Sequence, residues 1–233
     1  MKPLVVVATR REARALGESL KPFVCGSGPA AGEAVAARIA AERPDFVLLA
    51  GWCGGLDPSL GPADMILGRH VMMAGAEIIE PDRLMMDDIR HQLHAKSVPF
   101  AFSRLITVSE PAATKDAKRE LWNKHGAGGV DLETWFVAQA AAKARVSWAA
   151  VRVVVDASKQ GLPGPLTNWE NEASERAIFV QTALRPNEWP GMARLALRMP
   201  AVSRSLRNST IRILNAARSA RTVETLDLVE VGR

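Results

Sequence analysis

Apolar residues in this chain fall into two kinds of run. Leu4 to Ala8, Phe46 to Ala50 and Trp148 to Val155 are apolar at nearly every position and rich in β-branched residues. Such blocks suit strands buried on both faces, as in a mostly parallel sheet. Between them lie stretches with helical spacing. Ala30 to Arg43 is alanine-rich and predicts a helix, and Thr134 to Arg145 has little polar face and predicts a buried one. Thr114 to His125 predicts a short amphipathic helix with Lys115, Lys118, Arg119 and Lys124 outward. Arg10 to Leu20 predicts a helix after a tight loop. Phe23 to Cys25, Arg69 to Met73 and Arg104 to Val108 predict further strands. Residues 174–180 fit a helix or an extended segment equally. Strands alternating with helices predict an α/β fold.

The chemistry concentrates between Gly129 and Asp156. Asp131 and Glu133 stand at or just before the first turn of a helix, where its dipole favours negative charge. Asp131 therefore reads equally as a helix cap and as a binding group. Asp156 closes an apolar strand. A carboxylate there must be solvated, paired or functional. Buried without a cation, its pKa rises and it serves as a proton donor. Two glycine turns add candidate backbone donors. Gly26-Ser27-Gly28-Pro29 joins a strand to a helix N-terminus, a weak signal for an anion cradle. Gly51-Trp52-Cys53-Gly54-Gly55-Leu56 follows the second long strand, and its glycines let backbone amides approach a ligand.

These stretches together resemble the purine nucleoside phosphorylase superfamily, in particular its nucleosidase branch for methylthioadenosine and S-adenosylhomocysteine. VDLET and VRVVVDAS are similar to that family's (E/D)-M-E-(A/T/S) helix start and R-x-x-S-D strand end, with Leu132 for Met and Val155 for Ser. The run from Gly51 to Asp64 resembles G-(S/I)-(A/C)-G-G-L-x-P-x-L-x-x-G-D and is the most specific match. Trp52 departs from it, where many phosphorylases use a serine for phosphate, and reads as a core residue or a stacking one. The resemblance implies a three-layer α/β/α fold with a central mixed, mostly parallel twisted sheet, and a C-terminal helical extension. It implies cleavage of an N-glycosidic bond. Asp156 becomes the acid at the leaving base and Glu12 the residue that holds or deprotonates a water. Glu133 and Leu132 become ribose contacts. Arg10, Arg11, Cys53 and Gly54 flank the nucleophile or phosphate, and Ser109, Glu110 and Asp131 the base pocket. No metal or organic cofactor is implied, with inorganic phosphate as co-substrate in the phosphorolytic version. The stretch after Arg185 resembles the extension of a hopanoid-associated phosphorylase subgroup acting on an adenosylated triterpenoid. That tilts the expectation toward phosphorolysis of an adenosylated lipid, with hydrolysis as the alternative.

Charge adds a division. The net charge is +5, and residues 184–222 carry eight arginines against one acid, Glu188. The expected domains are residues 1–183, a basic helical extension 184–222 and a tail 223–233. Val202, Leu206, Ile213 and Ala217 share a helical face flanked by arginines, and earlier Trp189, Met192, Leu195 and Leu197 accompany Arg194 and Arg198. Such a segment suits a peripheral contact with an anionic membrane through 189–218, or packing and homo-oligomer contacts. Two cysteines, Cys25 and Cys53, make no disulfide framework and suit a reducing cytoplasm. The N-terminal apolar run is broken by charge and reads as a strand rather than a signal peptide. His91 and His94 lack a carboxylate at ligand spacing and read as surface residues. Nucleic-acid binding has only the arginines in its favour and no recognisable motif. A non-catalytic binding protein on the same fold is the remaining alternative, favoured by the departures at Trp52, Leu132 and Val155.

Overall fold

The computed structural model describes residues 1–161 and 185–230. The predicted segment 174–180, most of the loop after Asp156 and the last three residues of the tail lie outside them. Seven strands form one mixed sheet: β1 (Pro3–Val7), β2 (Phe23–Val24), β3 (Phe46–Gly55), β4 (Met65–Met73), β5 (Ala101–Thr107), β6 (Ala127–Asp131) and β7 (Ser147–Asp156). The helices are α1 (Arg10–Leu16), α2 (Gly28–Glu42), α3 (Arg83–Ala95), α4 (Lys115–His125), α5 (Thr134–Lys143) and α6 (Trp189–Glu230).

The strand order is β2-β1-β3-β6-β5-β4-β7, and β3 also pairs with β7, so five strands close on themselves. Only β3–β6 and β4–β7 are antiparallel. Closure depends on the end of β3. Its register with β7 shifts between Cys53 and Gly54, and beyond the shift Gly54 and Gly55 pair with Val130 and Gly129 of β6. Glycine suits this bend because Val130 and Val154 crowd it: a Cβ on Gly55 would stand 2.9 Å from Val154.

Alternation along each strand splits the core in two. Val5, Val7, Phe46 and Leu48 pack on one face with α3 and α6. Leu4, Val6, Val47 and Leu49 pack on the other with α2 and α5. These are the outer layers of the expected three-layer architecture. The C-terminal helical segment is α6, and its role in the core is larger than an appendage. Val202, Leu206, Ile213 and Ala217 are fully buried. Their helical stripe faces the sheet, and Ser205 Oγ donates to the carbonyl of Ala63 at 2.7 Å. The helix continues past the expected boundary at residue 222 to Glu230. No described helix is long and apolar enough to cross a membrane.

The three apolar strand blocks fall in β1, β3 and β7, though β3 runs five residues further into its glycines. β6 escapes a pattern reading because Ala127-Gly128-Gly129 has almost no side chains. A Cβ on Gly128 would meet Ser103 at 2.7 Å, so this strand needs small residues to lie against β5. Lys118 corrects the expectation for α4. It is fully buried, whereas Lys115, Arg119 and Lys124 are exposed.

Candidate active site

A cavity of about 360 Å³ opens where the strands end. Ala8 and Thr9 after β1, Trp52 to Gly54 of β3, Val108 after β5, Val130 to Glu133 around β6, and Val155 and Asp156 of β7 line it. In open α/β sheets the carboxyl ends of the strands are where ligands bind. α6 supplies an apolar wall of Met192, Leu195, Ala196 and Met199.

Glu12 reaches this cavity through a helix cap. Thr9 begins α1, its hydroxyl accepts the Glu12 amide at 3.2 Å, and Glu12 Oε2 accepts the Thr9 amide at 2.8 Å. This reciprocal box turns the glutamate back over the start of its own helix. Its other oxygen accepts the Trp52 amide at 2.7 Å. Glu12 is thus buried rather than a solvated helix residue. Burial raises its pKa, against the opposing pull of Arg152 and these hydrogen bonds.

Arg152 organises the corner. It sits in the middle of β7, fully buried, opposite Gly51 of β3. Nε lies 3.0 Å from Asp131 Oδ2, and Nη2 lies 2.6 Å from Glu133 Oε1. Burial disfavours its charge, but Asp131, Glu133 and Glu12 outweigh this and raise its pKa. Burial pushes Glu133 up to about 8, with Arg152 opposing. Asp131 Oδ1 accepts the Thr107 hydroxyl at 2.9 Å and the amides of Glu133 and Thr134 at 3.2 and 3.0 Å. Its oxygens are occupied as a helix cap and as the partner of Arg152, which is the bland alternative of the sequence reading. Arg152 was not among the expected site residues, although the quoted strand-end motif begins with it. A lone arginine inside an apolar strand was the available signal, since a buried cation requires carboxylate partners.

Asp156 lines the cavity at the end of β7. It has a cation partner after all: Lys118 forms an ion pair with its Oδ2. Burial pushes Asp156 up to about 6, with Lys118 pulling the other way. Leu132, Glu133, Cys53, Gly54 and Arg11 also line the cavity, so the strand ends bring most of the expected residues together. Arg10, Ser109 and Glu110 are exposed and do not line it. Val108, Pro111 and Ala112 stand there in place of Ser109 and Glu110. The turn at Gly26 offers less of a cradle than expected, because the Gly28 amide donates to the Leu132 carbonyl at 3.0 Å. Ser27 does line the cavity. Trp52 both packs in the core and lines the cavity. His91 and His94 are exposed on α3, with the His94 ring 5.0 Å from that of Phe100.

The closed mixed sheet thus gathers its carboxylates in one cavity at the strand ends, as an enzyme site does. Residues 18–184 match the model of the phosphorylase superfamily, and the chain belongs to that family of enzymes. No curated protein matches the chain. Among solved structures it is similar to the futalosine hydrolase of Helicobacter pylori strain 26695, at 12% identity and a TM-score of 0.69 over 92% of this chain and 97% of that one. It is similar to the 5′-methylthioadenosine/S-adenosylhomocysteine nucleosidase of Helicobacter pylori, at 12% identity and a TM-score of 0.70 over 92% and 98%. The corresponding nucleosidase of Campylobacter jejuni gives 13% identity and a TM-score of 0.68 over 94% and 99%. At such identities the likeness is one of fold.

Proposed function

We propose that the chain cleaves the N-glycosidic bond of an adenosyl-type purine nucleoside with an apolar 5′ substituent, releasing adenine. One observation carries this reading: Asp156, Glu133 and Glu12 line a single cavity at the strand ends. Cleavage asks for a proton at the leaving base, charge near the cationic sugar and a nucleophile on the far face. Asp156 supplies the proton, and a pKa of about 6 suits an acid working near neutral pH. Glu133 holds the ribose hydroxyls by hydrogen bonds beside the developing oxocarbenium ion. Glu12 orients the nucleophile. The apolar wall of α6 suits the 5′ substituent, which the resemblance to the hopanoid subgroup would make a lipid. Leu132 and Cys53-Gly54 frame the sugar.

The sequence leans to phosphate as nucleophile, and Arg11 on the cavity wall supports that. The buried charges favour water. Glu12, Asp131 and Glu133 surround the one buried guanidinium and take up its charge, so Arg152 offers no net attraction to an anion. The hydrolase and nucleosidase among the similar folds accord with water as well. Phosphorolysis is the second reading.

The same reading makes the protein a cytoplasmic homo-oligomer. Membrane contact is confined to the start of α6, where Trp189 and Leu197 are 54% and 81% exposed, since the later stripe is buried. Pelleting with anionic but not neutral liposomes tests that contact.

The deciding experiment incubates the protein with 5′-methylthioadenosine, S-adenosylhomocysteine and a 5′-alkylthioadenosine of longer chain, with and without phosphate. Adenine release in phosphate-free buffer is the expected result. A sugar 1-phosphate formed only with phosphate assigns phosphorolysis. No release from any substrate, with tight binding of one, assigns a binding protein. Asp156→Asn should lower the rate by about 10² or more.

A further inference from the structure

Lys118 is a buried cation that the reaction outlined above leaves unused. It lies on α4 among exposed charged residues, yet its own side chain is fully buried. Its stem passes Gly54, where a Cβ would come within 3.6 Å of Lys118 Cε. An ammonium has three donors. Those of Lys118 meet three acceptors: Asp156 Oδ2, the Asp156 carbonyl at 3.1 Å and the Ala157 carbonyl at 3.2 Å. No donor is left over for a ligand. The other carboxyl oxygen, Oδ1, lies on the side of Gly54, 3.6 Å from where that Cβ would stand, and Gly54 and Asp156 both line the cavity.

We propose that Lys118 is a positioning residue for base release: it holds Asp156 by Oδ2 and by the backbone behind it, and so presents Oδ1 to the leaving base. This rests on the reading of Asp156 as the acid. In the step itself the Oδ1–H bond breaks as an N–H bond forms on the base. The glycosidic electron pair leaves with the base. The carboxylate that remains is the form Lys118 stabilises, and solvent returns the proton. Among the described residues, the titratable groups that share a cavity with Asp156 are Lys118 and Lys115 of α4, Lys159 after β7, Arg194 and Arg198 of α6, Cys53 of β3, Arg11 and Glu12 of α1, and Asp131 and Glu133 around β6. Four of these, Lys115, Lys159, Arg194 and Arg198, line an adjoining cavity of about 210 Å³ that shares Asp156. Burial pushes Asp156 up, and Lys118 is the largest opposing influence, ahead of Arg198. The lysine therefore sets how far toward alkaline pH the acid keeps its proton.

The test compares the wild type with Lys118→Met, Lys118→Gln and Lys118→Arg. The first readout is the infrared titration of the Asp156 carboxyl, identified by its loss in Asp156→Asn. The second is the pH profile of adenine release from 5′-methylthioadenosine. The wild-type carboxyl should titrate near pH 6. Removing a cation in direct contact should raise that midpoint by about 1 to 3 units in the Met and Gln variants. The alkaline limb of the activity profile should move with it, and Lys118→Arg should stay near the wild type. Lys118→Gln keeps donors without charge and serves if Lys118→Met does not fold. An unmoved midpoint in a folded neutral variant overturns the proposal, even if activity falls. Full activity in Asp156→Asn would instead sink the reading of Asp156 as the acid, a different outcome from an unmoved midpoint.

Discussion

Arg152 Nη2 lies 2.6 Å from Glu133 Oε1, with both side chains buried. The guanidinium holds the carboxylate at the cavity by Oε1, and Oε2 accepts the Leu132 amide at 3.3 Å. Glu133→Gln should keep this geometry and lose the ionisable carboxyl. Turnover should fall by about 10² or more, the scale of losing one preorganised electrostatic contact. The affinity for free adenine should stay within a few-fold, because the base lies at Asp156. A matching loss of adenine affinity, measured by calorimetry, would move Glu133 to the base pocket.

Gly51 makes room for that guanidinium. A Cβ at Gly51 would stand 2.0 Å from Arg152 Nη1 and 2.7 Å from Glu12 Oε1. Gly51→Ala must therefore push Arg152 out of its ion pairs or part β3 from β7. Breaking a buried ion pair costs about 3–5 kcal/mol. Urea unfolding should show a loss of that order, with turnover strongly reduced. A variant within about 0.5 kcal/mol of the wild type, the range of harmless surface changes, would mean that Arg152 moves aside freely.

Much of this was legible beforehand, for physical reasons. Strands buried on both faces announce themselves as unbroken apolar blocks, and Asp156 closes one of them, whereas Glu133 is legible from a helix start and Glu12 from the family resemblance. What escaped depended on contacts distant in sequence. Lys118 is spaced like the exposed lysines of its helix, and only the approach of Asp156 from β7 buries it. Ser109 and Glu110 occupy the right loop, but the chain turns so that Val108, Pro111 and Ala112 face inward. The apolar stripe of α6 was visible, and both a membrane and a sheet would satisfy it. The fold places the sheet against it.

The carboxylate corner should leave a signature in the pH dependence of stability. Burial raises Glu133 from an ordinary 4.5 to about 8, and it raises Glu12 as well. The folded state then holds a proton more firmly than the unfolded one between those values. Stability is fully present below the ordinary carboxylate value and falls as pH rises toward 8, at up to about 1.4 kcal/mol per unit for one group. Glu133→Gln should flatten this slope. Urea midpoints across the window check it. A wild type that grows more stable on the way to pH 8 would mean that the three carboxylates stay ionised together.

The wall on α6 makes the last prediction. Met192, Leu195, Ala196 and Met199 line the cavity while the stripe of Val202, Leu206 and Ile213 holds the helix on the sheet. Met199 also packs against that core, but Leu195 does not, so Leu195 can change without loosening it. A half-buried Leu195 turned into aspartate puts charge where an apolar 5′ chain would lie. Leu195→Asp should cost about tenfold or more in kcat/KM for long 5′-alkylthioadenosines, since each methylene in an apolar pocket discriminates by roughly 10- to 200-fold. Adenosine itself, with a 5′-hydroxyl, should lose far less. Equal losses for both would mean that α6 serves the whole site. A loss for adenosine alone would turn the 5′ substituent away from this wall.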